Sequence, residues 1–89
     1  MKLTETDSWM PVITTLDIME GKETVTVISL DDEGDWVALG DTEPCDDDLD
    51  AFSVEELLAI DPSLCDVPDL NPGQCAVRTQ KGAPWVVED

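Results

Sequence analysis

Carboxylates are the only chemistry-bearing side chains this 89-residue chain has in quantity. Twenty-two Asp and Glu stand against four bases, Lys2, Lys22, Arg78 and Lys81, for a formal charge of −18. The densest group is Asp41, Glu43, Asp46, Asp47, Asp48 and Asp50. A second run, Asp31, Asp32, Glu33 and Asp35, surrounds Gly34. Such groups can hold a hard cation, move protons, or meet a basic partner. For the first, a calcium loop alternates oxygen ligands about an invariant Gly and ends in a bidentate Glu. With Gly34 placed on that Gly, Asp31, Glu33 and Asp35 fall on ligand positions, but Ser29 and Gly40 occupy the first and last. The run therefore reads as a solvated hairpin turn, and no metal or other cofactor is expected.

Proton chemistry has little to build on. The chain has no His, so neither a Ser–His nor a Cys–His couple can form. Cys45, Cys65 and Cys75 are odd in number, far apart, and have no base beside them. They form no CxxC zinc or redox motif and suit a reducing compartment. Acid–base work by paired carboxylates needs a cleft that selects one pair, and nothing in the sequence selects one. The expectation is a protein that is not an enzyme and has no catalytic residues.

The third possibility remains. A folded chain of this length has a radius of gyration of about 12 Å, and the Debye length at physiological salt is about 8 Å. Eighteen net charges on so small a body repel one another and draw a cationic partner. They oppose nucleic acid and anionic membrane, which need Lys and Arg. The ten residues named above are thus the expected binding face for a basic protein. No apolar run approaches membrane-spanning length, and the first eight residues lack the apolar core of a signal peptide. A cytoplasmic location follows as the expectation.

The elements that must position these acids come next. Residues 1–9 read as a flexible lead-in to one domain, 10–89. Met10–Thr15 reads as a short strand, and residues 15–20 as one helical turn capped by Thr15 or Thr14, closed by Gly21. Glu23–Leu30 and Trp36–Leu39 form a hairpin across the acidic turn. Residues 53–60 carry the fullest helix signature. Ser53 is the N-cap, Glu56 completes a capping box, Phe52 staples onto Leu57, and Pro62 stops the helix. Asp61 can cap a second short turn with Pro62 first in it. Residues 74–79 and 85–88 read as closing strands. Trp36 and Trp85 are expected in the core, and Arg78 is expected to pair with acids on a neighbouring strand. The fold class is α+β: a mostly antiparallel sheet of about four strands with one principal helix, 53–60.

Leu16-x-x-x-x-Gly21-Lys22, a β run, a turn into Trp36, and Gly40-Asp41-x-Glu43 follow one another in a telling order. Then come Ser53-x-x-x-Leu57, Ile60-Asp61-Pro62-Ser63-Leu64, Pro72-Gly73-x-Cys75-Ala76-x-Arg78, and Trp85. This order resembles the bacterial family called domain of unknown function 2185, or immunity protein 33, over roughly residues 10–87. Three features depart from that family. The Gly-Asp segment is one residue shorter, Val77 stands where an aromatic is usual, and Glu23–Leu30 has neither Tyr nor Arg. The resemblance implies binding and neutralising a polymorphic toxin, with no catalytic residues to carry over.

Composition and resemblance thus lead to one expectation: a non-enzymatic immunity-type protein that occludes the cleft of a basic toxin. The alternative is an acidic structural or regulatory domain that self-associates through a sheet edge. The sequence leaves monomer and homodimer open.

Overall fold

Residues 2–41, 47 and 49–88 are described in the computed structural model. In chain order they form β1 (Pro11–Thr15), α1 (Leu16–Met19), β2 (Val27–Leu30), β3 (Trp36–Leu39), β4 (Leu49–Ser53), α2 (Val54–Ile60), β5 (Cys75–Val77) and β6 (Val86–Glu88). Short 3-10 turns lie at Leu3–Glu5 and Pro62–Asp66. The strands make one sheet in the order β4-β1-β3-β2-β5-β6. Only β1 and β3 pair in parallel; the other four pairings are antiparallel. The α+β class is as expected. The sheet, however, has six strands among the described residues, not about four. The missed strand is β4, whose sequence Leu-Asp-Ala-Phe-Ser shows no strong β pattern. Its five-residue register with β1 supplies what its own sequence does not.

The principal helix forms for the local reasons its sequence shows. Ser53 Oγ accepts from the Glu56 N–H at 3.1 Å. The two N–H groups before it are taken by the incoming chain: Val54 donates to Met10 O at 3.0 Å and Glu55 to Ser8 O at 3.1 Å. Three of the four orphan donors of the first turn thus have acceptors. At the other end Asp61 leaves the helical region at φ −134°, as the residue before a proline must. Its carboxylate then caps the next turn through the Ser63 N–H at 3.1 Å.

Cross-strand register sorts the sheet into two faces. On one, Val12, Trp36 and Leu30 form a row, and Thr14, Ala38, Ile28 and Ala76 form the next. All seven are buried, and Val54, Leu57, Leu64, Val67, Leu70, Ile18 and Leu3 close over them. Leu3 is fully buried and Trp36 donates its indole N–H to Thr6 Oγ1 at 3.1 Å, so the segment read as a lead-in is packed onto the domain. The opposite face carries Ile13, Val37, Ser29 and Cys75 in one row, and Leu39, Val27 and Val77 in another, ending at Val86. These are half-buried or exposed, and none belongs to the core.

Candidate interaction surface

The acidic turn 31–35 is built as a closed hairpin tip. Asp31 Oδ1 accepts from the N–H groups of Glu33 at 2.9 Å and Asp35 at 2.8 Å. Gly34 sits at φ +88°, where a side chain would be strained, and donates to Asp31 O at 3.0 Å. One Asp31 oxygen is therefore occupied by the turn itself. Asp32 and Glu33 are exposed, and Asp35 is half-buried. Among the described residues, no group of three or more His, Cys, Asp or Glu side chains is placed to hold a metal ion.

The other predicted acids lie elsewhere. Asp41 is exposed just past β3, and its Oδ1 accepts from Thr26 Oγ1 at 3.1 Å. Asp50 is exposed on β4, with its Oδ1 on the Ala51 N–H at 2.8 Å, and Asp47 is exposed just before that strand. Glu43, Asp46 and Asp48 lie outside the described residues.

Sheet topology separates these groups. β1 and β3 run the same way, with Val12 beside Trp36 and Thr14 beside Ala38. The 31–35 turn, which leads into Trp36, is at one end of the strands. Asp41 leaves from the other, and Asp50, opposite Thr14, lies toward that same end. The seven described candidates are thus not one face but two acidic ends.

The first end gains more than the turn. Glu5 and Asp7 are exposed there on the segment before β1, and Glu55 and Glu56 begin α2. Trp9 is 70% exposed on the same segment before β1, and Glu5, Thr6, Asp7 and Met10 line a hollow of about 190 Å³ there. Trp9 follows five polar residues, Thr4 to Ser8, and is not part of the core.

Arg78 has a structural station, with a partner different from the one expected. Its acid is Asp61, at the end of α2, and not a residue on a neighbouring strand. Nη2 lies 3.0 Å from Asp61 Oδ2, Nη1 donates to Ser63 Oγ at 2.9 Å, and Nε donates to Val25 O at 2.9 Å. The guanidinium also stacks on Trp85, 4.5 Å from the ring centroid. Trp36 is core as expected, whereas Trp85 is half-buried and its Nε1–H has no acceptor among the described residues. A cleft of about 100 Å³ opens beside this node, lined by Glu23, Thr24, Asp61 and Lys81 among others. On the cleft wall Asp61 is paired with Arg78, and Glu23 Oε1 is buried with no hydrogen-bond partner among the described residues. Lys22 hydrogen-bonds Glu20 at 2.9 Å on the surface, which raises its pKa above the usual lysine value. Cys65 is exposed and Cys75 half-buried; both are free thiols.

No family model, curated protein or solved structure matches this chain. Among the described residues no helix is long and apolar enough to cross a membrane.

Proposed function

We propose that this chain is a non-enzymatic, acidic binding protein of the immunity type, which engages a basic protein in the cytoplasm. The observation that carries the reading is Trp9, 70% exposed on the segment that leads into β1, with the exposed acids Glu5 and Asp7 just before it in sequence. Trp is enriched at binding hot spots, and its ring face attracts Arg and Lys. Surrounding carboxylates steer a cationic partner and raise its on-rate. Asp41, Asp47 and Asp50 form a second acidic contact at the far end, and Glu43, Asp46 and Asp48, their neighbours in sequence, lie outside the described residues. The resemblance to immunity protein 33 gives the same reading from a separate direction, and the absence of His leaves little for a catalytic one.

Association kinetics test it. Trp9→Ala accelerates dissociation from the basic partner, while Glu5→Gln with Asp7→Asn slows association and flattens its salt dependence. Unchanged kinetics in both variants would remove this end from the interface.

A further inference from the structure

Among the described residues, acids are absent from most of one sheet face. On the sheet face away from the helices, the side chains of Ile13, Val37, Val27, Leu39, Val77 and Val86 line up across five strands. An antiparallel sheet with a solvated face normally alternates apolar-in and polar-out. Here both faces are apolar, and among the described residues Glu88, at the β6 edge, is the only carboxylate the register sets on the outer rows. Residues 70–87, which supply β5 and most of β6, contain no acid at all.

We propose that this face is where two copies of the chain pack against each other, sheet on sheet. The occupant follows from charge and area. Two bodies of −18 repel wherever their acidic ends meet, and on this face they meet through uncharged side chains with the acids outside. A second copy presents the same patch, so the contact closes on itself by two-fold symmetry. Stacked sheets pack about 10 Å apart, and six strands at about 4.8 Å spacing span most of the molecule's 27 Å extent. With strands of three to five residues, the face buries a few hundred Å² per copy, short of the roughly 800 Å² per partner of a stable complex and in the range of weak, transient contacts. The dimer is therefore weak and concentration-dependent. It uses a different surface from Trp9, so it neither requires nor excludes the basic partner.

Added salt discriminates the two contacts. Screening loosens a complex with a basic protein but tightens a dimer of two acidic copies. Sedimentation equilibrium of the full chain, over a wide concentration range at low and high NaCl, reads this directly. The expected mass moves from 9.7 kDa toward twice that value with concentration, and further at high salt. Val37→Lys, which sets a charge in the middle of the face, stays at the monomer mass. Val37→Ser, which is gentler to the strand, weakens the dimer by about tenfold. Trp9→Ala leaves it unchanged, and thermal melts confirm that each variant is folded. A monomer mass at every concentration and salt overturns the proposal, as does a dimer that survives Val37→Lys.

Discussion

Arg78 and Asp61 form a buried ion pair, 3.0 Å between Nη2 and Oδ2, that ties the end of β5 to the junction between α2 and the following 3-10 turn. Both residues are at least nine-tenths buried. The chain's sole arginine is thus used for architecture. Its three donor nitrogens reach a carboxylate, a hydroxyl and a backbone carbonyl, a fork that lysine cannot reproduce.

Removing one partner should be severe. A domain of this length has a total stability of roughly 5–13 kcal/mol, and an unpaired buried charge costs about 3–5 kcal/mol. Asp61→Asn and Arg78→Lys are each expected to lower the urea midpoint strongly. The double variant Asp61→Leu with Arg78→Met should lose less than Asp61→Leu and Arg78→Met lose singly when added together, because it leaves no orphaned charge. A single-variant loss below about 1 kcal/mol would place the pair among the weak surface bridges instead.

Leu3→Ala should destabilise by about 2–5 kcal/mol, as for other buried leucines. The side chain is fully buried, and its segment supplies Thr6 to the Trp36 indole and Ser8 to the α2 N-terminus. Urea unfolding reads the loss. A variant as stable as the parent would show that this segment contributes no packing.

Thr14→Val is expected to stabilise. The Thr14 hydroxyl is buried, in register between Ala38 and Asp50, and has no hydrogen-bond partner among the described residues. An unmade buried hydrogen bond costs about 1–3 kcal/mol. Regaining about 1 kcal/mol raises the melting temperature by about 4–8 °C in a domain of this size. A lowered melting temperature would mean the hydroxyl has a partner in solution.

Self-repulsion sets the response to salt. Sodium, magnesium and calcium chloride at matched ionic strength should raise the melting temperature together, by screening. Asp31 already accepts two backbone N–H groups, so calcium should add nothing specific at the 31–35 turn. A calcium-only shift at sub-millimolar metal would reveal a bound ion, since a ligand that binds only the folded state stabilises it.

What was legible in the sequence was local. Ser53, Pro62 and Gly34 act within a few residues of themselves, so α2, its stop and the β2–β3 hairpin read directly. The Asp61 cap on Ser63 read as well, for the same reason. β4 did not, because its partner β1 lies more than thirty residues back. Nor did the Arg78–Asp61 pair, whose members are 17 residues apart. The two-ended placement of the acids depends on β1 running parallel to β3, which no local pattern encodes. The apolar outer sheet face was hidden for another reason. When both faces of a strand are apolar, as in Val-Ile-Ser-Leu and Trp-Val-Ala-Leu, period-2 alternation cannot say which one the helices cover.

The most direct test of the binding role is capture from the native host lysate with the parent protein and Trp9→Ala in parallel. Bound proteins are eluted in rising salt and quantified by mass spectrometry. The account predicts one basic protein that the parent holds into high salt and Trp9→Ala releases early, because the aromatic contact survives when charge is screened. A diffuse set of basic proteins, lost from both at the same moderate salt, would contradict it and leave the acids as a property of the surface alone.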